Sequence, residues 1–197
     1  MEANPASFAK ALDPPLEPGL ETDDDLARRS ATSTEAFAEL YLRHRDPVFR
    51  YLRARCRADD DALELTAVTF EKALGAIHRY RPRAGGLRAW LVRIARNAAT
   101  DAQRRRRPLS DQQPIGSALA SADPTPEEAV IAADERRLLF GMVAALPELQ
   151  RDALAMRYAA GLTAREIGLV IGKTEDAAQK LITRAVAQLK ETYLDHP

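Results

Sequence analysis

Residues 108–126, PLSDQQPIGSALASADPTP, constrain the fold more than any other stretch of this chain. Four prolines, with serine, aspartate and glutamine between them, remove backbone donors and leave no apolar period to bury. Such a segment has linker composition. It separates a first domain at 34–107 from a second at 127–197. Ahead of both lies a tail, residues 1–33, carrying Pro5, Pro14, Pro15, Pro18 and the acidic run Asp23-Asp24-Asp25. With little apolar periodicity, the tail reads as flexible.

Both domains read as helical. Phe37, Leu40, Tyr41, His44, Val48 and Leu52 recur at steps of three and four, which puts them on one stripe of a helix. Asp46-Pro47 inside that run suits a cap and a restart, because proline fits a first helical turn. Asp59-Asp60-Asp61 places carboxylates where a helix N-terminus favours them, and Leu63, Thr66, Phe70 and Leu74 mark the expected inner face. Arg79–Gly86, RYRPRAGG, reads as a loop. A third helix from Leu87 to Arg105 turns Trp90, Leu91, Ile94 and Ala98 inward. No alternating strand pattern appears, so the fold class is all-α: two small helical domains joined by a flexible linker.

Net charge is zero over the chain but not along it. Residues 1–33 are net −4, residues 34–107 net +8, and residues 108–197 net −4. Sixteen of the seventeen basic residues in the middle block are arginine, whose planar fork matches phosphates and base edges. A solvated surface accounts for some of them. Their concentration, ending in Arg104-Arg105-Arg106-Arg107, points to an anionic partner of nucleic-acid type. The acidic tail beside this block either shields it from non-specific DNA or is a solvated extension without a role.

The second domain carries the most readable motif, from Leu162 to Lys190. Thr163 and Glu166 have capping-box spacing, Ile167, Val170 and Ile171 give an apolar side, and Gly172 ends the helix. Thr174 caps the next helix, in which Ala178, Leu181, Ile182, Ala185 and Leu189 face inward. Glu175, Gln179, Lys180, Thr183 and Arg184 are left outside with Thr174 at the start. Two helices around a glycine turn, the second offering hydrogen-bonding side chains, fit a helix-turn-helix; an ordinary helical hairpin has the same outline.

These blocks, taken together, resemble the sigma-70 family of RNA polymerase sigma factors, and within it the extracytoplasmic-function group with two structured domains. FAELYLRHRDPVFRYL (37–52) resembles the first helix of the family's promoter-melting domain. DALELTAVTFEKAL (61–74) resembles the segment that grips the polymerase clamp helices, with Asp61, Leu65, Thr66, Thr69 and Phe70 matching and Glu64 replacing one acid by another. LRAWLVRIARNAATDAQRRRR (87–107) resembles the −10 helix, and LPELQRDALAMRYAAGLTAREIGLVIGKTEDAA (146–178) resembles the −35 reading domain. Departures are Val68, where the family carries an acid, Asp176-Ala177, and Gln179-Lys180-Leu181 in the reading helix.

The resemblance implies an alternative sigma factor that binds core RNA polymerase, recognises promoter DNA, melts it and starts transcription. By it, core polymerase meets Asp61, Glu64, Leu65, Thr66, Thr69 and Phe70. The −10 element meets Arg79, Tyr80, Arg81, Arg83, Arg88, Arg93, Arg96, Asn97 and Arg104, since holding a flipped base and a single strand needs cations and stacking surfaces. The −35 element meets Thr174, Glu175, Gln179, Lys180, Thr183 and Arg184. An anti-sigma factor is the implied regulator. A helix-turn-helix regulator acting without polymerase is the alternative; a decoy binding regulators but not DNA is a third.

Enzymatic function finds no support: there is no nucleophile–histidine signature, no phosphate-cradling glycine loop and hence no catalytic residue to name. The lone Cys56 forms no internal disulfide and reads as a small packing residue rather than a redox sensor. His44, His78 and His196 lack ligand spacing, so neither metal nor cofactor is expected. No run reaches the ~18 apolar residues of a membrane span, and MEANPASFAK lacks secretory-signal order, so a cytoplasmic protein without membrane insertion is expected.

Overall fold

The three- and four-residue steps do become helices. The computed structural model describes residues 21–56, 58–82, 85–106 and 138–195, so the linker at 108–126, residues 1–20 and Arg83 lie outside the described residues. In chain order come α1 (Asp23–Arg29), α2 (Thr34–Arg53), α3 (Asp59–Ala76), a 3-10 turn (Ile77–Arg79) and α4 (Gly86–Arg106). After the linker follow α5 (described over 138–145), α6 (Glu148–Leu154) running into a π-helical turn (Ala155–Ala159), α7 (Ala164–Ile171) and α8 (Glu175–Leu194). No strand occurs among the described residues.

The first correction is α1. Composition places residues 21–33 inside a flexible tail, yet Asp23–Arg29 is a helix capped by Thr22, whose hydroxyl accepts from the Asp25 N–H. Leu26 and Ala27 are fully buried in the first domain's core. The acidic run is spent locally. Asp23 Oδ2 lies 2.9 Å from His44 Nε2, Asp24 accepts the Tyr80 hydroxyl, and Asp25 pairs with Arg28. The hydrogen bond from buried His44, with the charges of Arg43 and Arg88, holds the Asp23 carboxyl below its ordinary pKa. One leucine and one alanine are too short a signal for periodicity to register.

The expected restart at Asp46-Pro47 does not occur, because α2 runs unbroken through Pro47. Proline there removes one backbone donor, but Leu40, His44, Val48 and Leu52 are buried on both sides of it in one core. Packing along the whole stripe outweighs one missing bond.

α3 is rotated from its expected face. Thr66 and Phe70 are buried, whereas Leu63 and Leu74 are 56% and 51% exposed; Ala62, Thr69 and Ala73 take the inner positions. Small residues let α3 approach its neighbours closely. The threonines enter the core at little cost because each hydroxyl is satisfied within the helix, Thr66 donating to the Ala62 carbonyl and Thr69 to that of Leu65, both at 2.7 Å. Phe70 meets Tyr41 edge-on at 4.8 Å. In α4, Leu91 and Ala98 are buried as expected, while Trp90 and Ile94 are half-buried against the core.

Candidate nucleic-acid interface

The second domain builds its free helix face from caps and one close approach. Thr163 Oγ1 accepts from the Glu166 N–H at 3.2 Å while the Glu166 carboxylate accepts from the Thr163 N–H at 2.7 Å, so the capping box forms on both sides. Gly172 ends α7 with φ +70°, a left-handed conformation that a Cβ disfavours. Thr174 then caps α8 by accepting from the Ala177 N–H at 3.2 Å. Ala178, Ile182 and Ala185 are buried and Leu181 and Leu189 pack against that core. Thr174, Glu175, Gln179, Lys180, Thr183 and Arg184 are all exposed, and Gln179 reaches Thr183 at 3.4 Å. The structure therefore brings together the whole set expected to read DNA.

Gly168 keeps this turn tight. A Cβ there would sit 2.7 Å from the Lys173 carbonyl oxygen and 3.1 Å from the Thr174 backbone. Gly168→Ala gains about 1 kcal/mol in helix propensity but forces the turn apart, an overpacking cost of ~1–3 kcal/mol. The expected outcome is a net loss, read as a lower thermal midpoint with α8 displaced. A raised midpoint would show that the turn accommodates the methyl group.

The residues expected at the −10 element split between two surroundings. Arg79, Arg81, Arg93, Asn97 and Arg104 are exposed, and Arg93, Asn97 and Arg104 share one side of α4 by their spacing. Arg88 and Arg96 turn toward the second domain instead. Arg96 Nε donates to Asp152 at 2.6 Å, and a Cβ on Gly161 would lie 3.6 Å from the Arg88 guanidinium. Tyr80 corrects the expectation of a stacking surface. It is 7% exposed, donates its hydroxyl to Asp24 at 2.6 Å and meets Trp90 edge-on at 5.2 Å. Burial, reinforced by the Asp24 carboxylate, pushes the Tyr80 hydroxyl pKa up, so it stays a neutral donor. Its work is to anchor the loop ahead of α4.

On α3 the six expected polymerase contacts also divide. Glu64 is exposed and Leu65 and Asp61 are half-buried, but Thr66, Thr69 and Phe70 are core. Beside Glu64 the exposed side carries Leu63, Glu71 and Leu74, which sequence reasoning missed by assigning both leucines inward. Two large apolar side chains amid carboxylates form a surface suited to a partner rather than to water.

Residues 40–108 match the model for Sigma-70 region 2, and residues 136–189 match that for Sigma-70, region 4. The ECF RNA polymerase sigma factor SigD of Mycobacterium tuberculosis is 32% identical over 184 residues, covering 88% of this chain and 84% of that protein. The chain belongs to the extracytoplasmic-function group of the sigma-70 family. It is an alternative sigma factor, a non-enzymatic subunit directing promoter recognition by RNA polymerase. BldN of Streptomyces coelicolor, also an ECF sigma factor, is 31% identical over 165 residues, 82% of this chain and 62% of BldN. CnrH, solved with the cytosolic domain of CnrY, has the same fold at a TM-score of 0.67 and 22% identity, covering 90% of this chain and all of that one. The sigma factor RpoE of Bartonella quintana, solved with the anti-sigma factor NepR, superposes at a TM-score of 0.62 and 19% identity, covering 83% of this chain and all of RpoE.

A helix-turn-helix regulator acting without polymerase is not favoured, because region 2 accounts for the first domain. Among the described residues no helix is long and apolar enough to cross a membrane, and no group of His, Cys, Asp and Glu could hold a metal ion.

Proposed function

We propose that this sigma factor divides its work among three surfaces. The exposed side of α3, with Glu64 at its centre and Leu63 and Leu74 as apolar anchors, docks on core RNA polymerase. Thr66, Thr69 and Phe70 hold that helix in place from within rather than touching the partner, and Asp61 and Leu65 lie at its border. The −10 element is met by Arg79, Arg81 and Arg83 of the loop and by Arg88, Arg93, Arg96, Asn97 and Arg104 of α4, with Tyr80 fixing the loop. The −35 element is read by Thr174, Glu175, Gln179, Lys180, Thr183 and Arg184. The observation that carries the reading is the exposure of that complete polar set on α8, opposite a buried apolar side. The protein acts in the cytoplasm, and an anti-sigma factor is its binding partner, as the complex of RpoE with the anti-sigma factor NepR suggests by analogy of fold.

Mixing the purified chain with core polymerase and mapping transcription starts tests this division. New starts sharing one pair of upstream elements are expected, and absence of association in gel filtration overturns the reading. Glu64→Lys is expected to weaken association about tenfold or more while leaving the helical content unchanged, since losing one partner of an interfacial charge pair costs ~2–5 kcal/mol. Undiminished association would move the docking surface off α3.

A further inference from the structure

One buried hydroxyl ties α1 to the loop that leads into α4. Tyr80 is 7% exposed, and its hydroxyl donates to Asp24 Oδ1 at 2.6 Å across 56 positions of sequence. Its ring meets Trp90 edge-on at 5.2 Å, so the residue before the loop is joined to the start of α4. The ring contact holds one side of Tyr80, and the hydrogen bond holds its tip. A buried hydroxyl needs a partner, and here α1 supplies it. Asp24 lies ahead of every segment that carries the resemblance to the family.

What Tyr80 holds in turn is a cation. Its N–H donates to the Ile77 carbonyl at 2.9 Å, and its own carbonyl accepts from Arg81 Nη1 at 2.9 Å. The same Nη1 donates to the His78 carbonyl at 3.2 Å, which folds Arg81 back over the 3-10 turn while the residue stays exposed. The backbone around Tyr80 thus sets the place of this guanidinium, and Asp24 and Trp90 set the place of Tyr80. An arginine already held loses less side-chain freedom when it meets a phosphate or a base. We propose that Asp24 is a positioning residue for promoter opening: through the Tyr80 hydroxyl it places the Arg81 guanidinium at the −10 element. This rests on the reading of Arg79 and Arg81 as −10 contacts.

The role belongs to the acceptor oxygen of Asp24 rather than to its charge. Asparagine has the same shape and keeps a carbonyl oxygen to which the hydroxyl can donate, whereas alanine keeps neither. Phenylalanine in place of Tyr80 preserves the ring that meets Trp90 and removes only the donor. Because the two partners act as one unit, removing both should cost no more than removing either. Neither residue lies on α3, so assembly with core polymerase is expected to be unchanged.

The full chain assembled with core polymerase tests this on a promoter duplex recovered by start mapping. Permanganate reactivity of unpaired thymines reads the rate of opening, and gel filtration reads assembly. Circular dichroism fixes a temperature at which every variant is folded, where a loss through stability alone would vanish. Asp24→Ala and Tyr80→Phe are each expected to slow opening about tenfold, the lower end of what one hydrogen bond to a charged group contributes. Asp24→Asn is expected to recover most of that loss, and the double variant Asp24→Ala/Tyr80→Phe to match the single ones. Should Asp24→Ala lose its helices, Tyr80→Phe carries the test, since it removes a single oxygen. Opening at the parent's rate in either single variant overturns the proposal, as does a loss in Asp24→Asn as deep as in Asp24→Ala. Arg81→Ala is the reference. Opening at the parent's rate there overturns the reading of the loop as a −10 contact, and the proposal with it.

Discussion

Removing residues 1–33 is expected to lower the stability of the first domain by on the order of 5 kcal/mol, a large share of the ~5–15 kcal/mol that keeps a domain folded. Leu26 is fully buried, and emptying such a site ordinarily costs ~2–5 kcal/mol. Losing Asp24 leaves the largely buried Tyr80 hydroxyl without its acceptor, for ~1–3 kcal/mol more. Urea unfolding of the truncated and full chains measures the difference, and Leu26→Ala in the full chain gives the same direction at constant length. An unchanged midpoint in both would show that α1 is not part of the folded unit. The gap also depends on pH in a defined sense. The Asp23 carboxyl is held below its ordinary value in the folded chain, so its contribution is present above the unfolded value near ~4 and fades as pH falls through the folded one. The part of the gap due to Asp23 therefore shrinks in acid.

That dependence on α1 lies beyond what the sequence makes legible. The all-helical class and the helix-turn-helix are readable because long periodic runs and paired caps repeat one message, as Thr163, Glu166, Gly172 and Thr174 do within twelve residues. α1 is not, because its helix is seven residues long and its burial depends on partners such as His44 and Tyr80, the latter 56 positions from Asp24. On α3, periodicity offers two stripes, and the choice between leucines and threonines is made by close packing against α2 and α4, which a single sequence does not display. The −35 set emerges on one exposed helix because its positions follow from α8 alone. The −10 set does not remain together, since Arg96 answers to Asp152 and Tyr80 to Asp24, both distant in sequence.

The second large effect is expected on α8. Lys180 and Arg184 are four residues apart and both exposed, so their side chains extend over the same part of the helix surface and can enter one groove. Arg184→Ala should cost about 1–3 kcal/mol if its planar fork makes a bidentate base contact, roughly 5- to 150-fold in promoter affinity of the assembled polymerase. Lys180→Ala should cost less if it meets phosphate, because a point charge there contributes mainly by counterion release. The two roles separate experimentally. If Arg184 reads a base, its removal weakens binding to cognate promoters, leaves a mutated −35 element almost unaffected and keeps the salt dependence. If Lys180 neutralises a phosphate, its removal weakens every sequence alike and flattens the dependence on salt by close to one unit of slope. Neither substitution should alter the fold, since the buried side of α8 is made by Ala178, Ile182 and Ala185 and does not include them. If the double variant retains both the affinity and the sequence preference of the parent, α8 does not enter the groove through this face, and the reading surface would have to be sought at Thr174, Glu175 and the turn before them.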